Sequence, residues 1–323
     1  MNSYQVKQYQ LKNIPFIEIT TGTLKVVFSS LGASIYSLQY KGKEMVHRPK
    51  HFEDWIKPNS YYGKTIGRVA GRIKGNQISI DNKEYEIENN EGDNTLHGGV
   101  HGLSNCLFNM SLKTDYENIE VVYHQICLEK IDGFPGDLDV EVHYLVNITK
   151  STITTKYFAK SNQKSLVSLT NHSYFTLGEE DLSWLILKVK SNKFVDVDKN
   201  DMIPLRYCKL LPCLDFNKGK LLTEDIDNKY LTHSRTNGYD HYLCFSDKKE
   251  VILESPKVRL EITTDFPGVQ IYSDNYYDFE KMNTSKRIHR SLAVEPEDLP
   301  LSSHIVNKNE IYSRFITYTF IDK

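Results

Sequence analysis

The sequence contains no run of 18 apolar residues, and its opening stretch, MNSYQVKQYQLKNIPF, lacks the apolar core of a signal peptide. Neither a membrane-spanning helix nor an exported chain is expected, which points to the cytoplasm. Net charge is equally scarce. Forty Lys and Arg residues stand against 42 Asp and Glu, a formal balance of −2, so there is no electrostatic footprint for nucleic acid or an anionic membrane. The five cysteines (Cys106, Cys127, Cys208, Cys213 and Cys244) are odd in number and scattered. Cys208 and Cys213 have no second pair at ligand spacing, which excludes a zinc knuckle and argues against a disulfide framework. Linkers rich in Gly, Ser or Pro, low-complexity tracts and repeats of fixed period are also missing. With no seam to divide it, the chain reads as one domain over residues 1–323; two smaller β-domains would need a boundary that the sequence does not offer.

Helical periodicity is rare as well. Only HFEDWIKPN (51–59) hints at a short helix, stopped by Pro58. What recurs instead is alternation with a period of two. DVEVHYLV (139–146) places Val140, Val142, Tyr144 and Val146 on one face, and VRLEITT (258–264) does the same with Val258, Leu260 and Ile262. QISIDNKEYEI (77–87) reads as a hairpin turning at Asp81 and Asn82. The 21 tyrosines favour strands and offer faces for flat ligands. The expected fold is all-β, a large antiparallel β-sandwich.

Polar signals gather beside strand ends. TIGRVAGRIKGN (65–76) carries Arg68 and Arg72 among glycines; it is either a ligand-approaching turn or a surface turn with solvated charges. In NTLHGGVHGL (94–103), His97 and His101 stand four apart, but Gly98 and Gly99 argue against the helix that a metal pair would need. LTNHSYFTLG (169–178) sets His172 between two strand-like stretches, where it is either a satisfied core residue or a proton carrier. In LAVEPEDLPLSSH (292–304) the strand is expected to stop at Glu295, because Pro296 cannot donate to a ladder. Glu295, Glu297 and Asp298 could equally be a solvated acidic loop. NGYDHYL (237–243) adds Asp240 after a turn. Together these supply carboxylates, histidines and an arginine, an inventory suited to moving protons on a polyhydroxylated molecule.

The set GRVAGRIKG, NTLHGGVHGL, DGFPGDLDVEVHYLV, LTNHSYFTLG, NGYDHYL, TTDFPGVQIYSDN and LAVEPE, in this order, resembles the aldose 1-epimerase (galactose mutarotase) family, and LGASIYSLQY (31–40) extends the likeness across residues 22–318. The resemblance implies a β-supersandwich, no cofactor and no metal, and a cleft for free aldohexoses. It implies His172 as general acid, Glu295 as general base and His97 as a second active-site histidine, with Arg72, Asp240 and Gln270 binding the sugar. Three positions depart from the family pattern: Gly71 replaces a common Asn, Glu297 a common Gln, and His101 a common Lys.

Mutarotation removes the anomeric hydroxyl proton, protonates the ring oxygen, and reverses both transfers after rotation of the aldehyde. One acid and one base suffice. The expectation is therefore an ionised Glu295 and a protonated His172. Two alternatives share the scaffold: an epimerase of hexose 6-phosphates, which needs several basic groups around a dianion, and a non-catalytic sugar-binding module, which has no use for His172 or Glu295.

Overall fold

An extended chain that alternates apolar and polar residues buries one face and solvates the other. The strand Leu138–Asn147 follows this rule, with Val140, Val142, Tyr144 and Val146 all fully buried. The computed structural model describes residues 4–232, 236–275, 289–302 and 304–323, and its described α-helices are single turns: Phe52–Trp55, Glu129–Asp132 and Lys229–Thr232. None is long and apolar enough to cross a membrane. The expected hairpin is present: Gln77–Ile80 pairs with Lys83–Glu86, and Asp81 and Asn82 take φ of 52° and 62°, as a two-residue type I′ turn requires.

Two large antiparallel sheets organise the rest of the described residues. One has nine strands, in the order Asn109–Thr114, Asn118–Cys127, Leu138–Asn147, Thr152–Ser161, Ile311–Asp322, Val258–Thr264, Glu250–Glu254, Ile186–Val189 and Lys220–Leu221. The other has seven: Pro204–Lys209, Ser191–Val197, Asp240–Phe245, Gly268–Tyr272, Leu292–Glu297, Tyr174–Phe175 and Val46–His47. Tyr144, Tyr157, Leu260 and Tyr318 of the first share one buried cluster with Leu243, Val269, Ile271, Leu292 and Val294 of the second. This is the expected sandwich. A five-stranded sheet, Gln5–Leu11 to Lys43–Glu44, adds Ile17, Val26, Phe28 and Leu38 to the same cluster.

Two local expectations are corrected. The strand at 292 does not stop at Glu295 but runs through Pro296 to Glu297, with Pro296 opposite Val269. On that strand its neighbour Tyr174–Phe175 reaches no farther than Leu292 and Ala293. Pro296 thus lies at the half-open end of the ladder, where a missing N–H is tolerated, and its carbonyl accepts a 2.7 Å bond from Thr170 Oγ1. Arg68 is not a solvated surface charge. It is 2% exposed and bonded to Asp132 (Nε to Oδ2, 2.9 Å), to Gly136 O (2.6 Å) and to Cys127 O (3.1 Å). One guanidinium thereby ties the DGFPG loop to the strand Asn118–Cys127.

Removing one partner of a buried, fully bonded ion pair strands the other charge. Arg68→Ala is expected to lower the unfolding free energy by about 3–5 kcal/mol in urea titrations. A loss below ~1 kcal/mol, the range of a surface pair, would contradict this assignment.

Candidate active site

The face of the seven-stranded sheet that points away from the core floors a cavity of about 490 Å³. The period of two explains which residues reach it. Val294 and Leu292 face the core, so Glu295 and Glu297 face the cavity; Val269 and Ile271 face the core, so Gln270 and Tyr272 do not. Asp240 and Tyr242 project in the same direction from the strand Asp240–Phe245. Glu295 is directly opposite Gln270, whose Nε2 donates to Asp240 Oδ1 at 2.5 Å.

His172 enters from the wall. Its ring Nε2 lies 3.4 Å from Glu295 Oε1, and both residues are buried, at 4% and 2% exposure. The backbone around it is fixed from both sides: His172 N donates to Lys64 O, and Gly63 N donates to His172 O, each at 2.9 Å. Position 63 must be glycine, since a Cβ there would fall 2.0 Å from Ile35 O at a φ of +72°. The imidazole stacks on Tyr61 (5.7 Å between centroids) and on Tyr174 (4.8 Å). His172 Nδ1 and Glu295 Oε2 have no hydrogen-bond partner among the described residues.

His97 approaches edge-on, its ring 5.4 Å from that of His172. It sits in left-handed backbone (φ 55°), held by reciprocal bonds with Gly71: His97 N donates to Gly71 O, and Gly71 N donates to His97 Nδ1 at 3.2 Å. Accepting at Nδ1 leaves the proton of the neutral ring on Nε2, so His97 is a donor there. Arg72 forks onto Glu91 (Nε to Oε2, 2.7 Å; Nη2 to Oε1, 3.0 Å) and places Nη1 3.8 Å from Asp240 Oδ2.

Burial dominates the electrostatics. It pushes the His172 imidazole down to about 3, and lowers His97 well below the ordinary range with the help of His172 and Arg72. It pushes Glu295 well above the usual carboxylate range, reinforced by Glu297 and Asp240 and opposed by Arg72. Glu297 rises to about 8 and Asp274 to about 6, again chiefly through burial. The expectation of an ionised Glu295 and a charged His172 is therefore reversed: desolvation disfavours both ions, and the proton of the pair rests on the carboxyl.

All six sequence-predicted residues (His97, His172, Glu295, Arg72, Asp240 and Gln270) line this cavity. The reading of 295–298 as a solvated loop is overturned, as Glu295, Glu297 and Asp298 are all buried. His101 lies outside, 3.6 Å from Glu88. Sequence reasoning missed Glu91, which holds Arg72, and Asp274, which accepts from Tyr62 Oη and Ser291 Oγ. It also missed the tyrosine wall of Tyr61, Tyr62, Tyr174 and Tyr272, for which the high tyrosine content was the available signal. Among the described residues, no three His, Cys, Asp or Glu side chains are grouped to hold a metal ion.

A family model described as aldose 1-epimerase matches residues 15–317. Galactose mutarotase of Bos taurus is 29% identical over 276 residues, covering 81% of this chain and 78% of its own, and the Homo sapiens protein matches to the same extent. Among solved structures, galactose 1-epimerase from Lactobacillus acidophilus superposes with a TM-score of 0.90 at 22% identity, over 100% of this chain and 99% of its own. An aldose epimerase homologue from C. elegans gives 0.81 at 25% identity, over 96% and 99%. A family match across nearly the whole chain, on a fold of the same kind, makes this protein a member of the aldose 1-epimerase family and an isomerase of that class.

Proposed function

We propose that the chain interconverts the α and β anomers of free aldohexoses such as glucose and galactose, with Glu295 as base and His172 as acid. The observation that carries this reading is the 3.4 Å contact between His172 Nε2 and Glu295 Oε1 in the cavity floor. The two oxygens of a hemiacetal share one carbon, so an acid and a base that serve both must converge on one small region, as these do. Asp240 and Gln270 lie beside the pair to accept from and donate to ring hydroxyls, and His97 Nε2 and Arg72 supply further donors. The free thiols favour a reducing compartment, the cytoplasm.

The proton inventory fits ring opening. The one proton of the pair first passes from Glu295 to His172 across the 3.4 Å contact; Glu295 as carboxylate then takes the anomeric hydroxyl proton while the imidazolium of His172 gives one to the ring oxygen, and the C1–O5 bond breaks to leave the aldehyde. The enzyme is then left with a protonated Glu295 and a neutral His172, the form that burial favours. Desolvation thereby stabilises the opened state, in which the C1–C2 bond turns before the transfers reverse. Against hexose 6-phosphates stands the charge of the cavity: Arg72 is its one Arg or Lys among the described residues, and it is already bonded to Glu91. Against a mere binding module stands the desolvation of two ionisable groups that sugar binding alone does not need.

His172→Asn and Glu295→Gln are expected to lower kcat by about 10²-fold or more while changing KM far less. Asp240→Asn should raise KM more than it lowers kcat. Polarimetry with freshly dissolved α-galactose, alongside thermal melts, checks both; a stable His172→Asn protein with normal turnover would contradict the assignment.

A second expectation concerns pH. The pKa of Glu297 in the folded state, about 8, lies above its ordinary value, so the folded protein holds a proton that the unfolded chain has released. Stability must then fall as pH rises through the window from the ordinary carboxylate value to about 8. Glu297→Gln removes its share of this slope, leaving that of Glu295 and Asp274, and should raise Tm at pH 8 more than at pH 5. An unchanged slope in the variant would refute the burial argument.

A further inference from the structure

Glu297 has no part in the proton transfers above, yet it is built into their site. It follows Glu295 by two residues on the same strand, and so projects into the same cavity about 7 Å farther along. It is 4% exposed, and its carboxyl makes no hydrogen bond or ion pair with any described residue; only its backbone carbonyl is engaged, accepting from Tyr242 Oη at 2.9 Å. Buried polar groups are seldom left without partners, so a carboxyl lining a ligand cavity in this state points to a partner that arrives with the ligand. Resting on the epimerase reading, we propose that Glu297 is a specificity residue that binds an ammonium group, so that amino aldoses, with the amine on a ring carbon away from C1, are preferred over neutral ones.

Charge carries the choice of an ammonium over a hydroxyl. Among the described residues, five carboxyl groups line the cavity (Glu91, Asp240, Asp274, Glu295 and Glu297), against the single guanidinium of Arg72, which Glu91 already engages through two bonds. In the empty site Glu297 holds its proton, and a hydroxyl would leave it in that neutral form, whereas an ammonium draws it into the carboxylate form and releases the proton on binding. An ammonium supplies three donors and a full positive charge, and its bond to a carboxylate is about twice as strong as a neutral one. The spacing also suits the ring, since a residue 7 Å along the strand from the base at C1 lies across a pyranose rather than beside its anomeric carbon. The same field disfavours uronic acids and sugar phosphates.

The test compares galactose, galactosamine and galacturonate at pH 6.5, by mutarotation kinetics and by calorimetric binding, in the wild type, Glu297→Gln and Glu297→Asp. The wild type should favour galactosamine over galactose by about tenfold in kcat/KM, mainly through KM, and disfavour galacturonate. Glu297→Gln should bring the galactosamine-to-galactose ratio close to one, while Glu297→Asp should retain most of the preference. Equal ratios in the wild type and Glu297→Gln, or a loss shared alike by both sugars, would make Glu297 a hydroxyl acceptor and overturn the proposal. Failure of the wild type to mutarotate any of the three would instead refute the epimerase reading. The calorimetric ratio between galactosamine and galactose would then still decide the role of Glu297.

Discussion

The site depends on the desolvation of one contact, that between His172 and Glu295. In water a carboxylate and an imidazolium would each be content with its charge. Enclosed by Tyr61, Tyr174 and the sheet floor, both are driven toward neutrality, and the proton is drawn to the carboxyl. On the proposed mechanism the neutral pair is also the state that ring opening leaves behind, so burial favours the opened sugar over the charged pair that produces it.

The fold exists, from this point of view, to hold that contact. The seven-stranded sheet rests Val269, Ile271 and Val294 on the core and leaves Gln270, Glu295 and Glu297 to face the cavity. The wall that brings His172, Arg72 and His97 to the floor is irregular, made of short strand pairs and glycine turns, and is pinned by backbone bonds such as those between His172 and residues 63 and 64. Gly71 illustrates the economy of this wall. In place of an amide side chain, it offers its own N–H and C=O to His97 and so fixes the tautomer of a ring that it never touches with a side chain.

The regular parts of this arrangement were legible in the sequence because they follow from periodicity. The alternation of Val140 to Val146, the Asp81–Asn82 turn and the short helix before Pro58 each have a local cause, and each is present. That His97, His172, Glu295, Arg72, Asp240 and Gln270 line one cavity was legible from motif order rather than from physics, as nothing local distinguishes His172 from a core histidine. What failed were judgements that depend on tertiary surroundings. Pro296 reads as a strand end until its neighbour is seen to pair no farther than Ala293. Arg68 reads as solvated until Asp132 and the carbonyls of the 135–136 turn are seen to enclose it. Glu91 and Asp274 carry no signal of their own, and the charge state expected for His172 and Glu295 took pairing into account but not burial.

The claim that burial, rather than pairing, sets the charge of His172 can be read at one nucleus. Nitrogen-15 resonances of the histidine rings, assigned through His172→Asn, report the protonation of each ring directly across a pH series. His172 should remain neutral well below the ordinary histidine value of about 6.5, titrating toward about 3. A ring that takes up its proton near 6.5 or above, as a carboxylate-paired surface histidine would, contradicts the account.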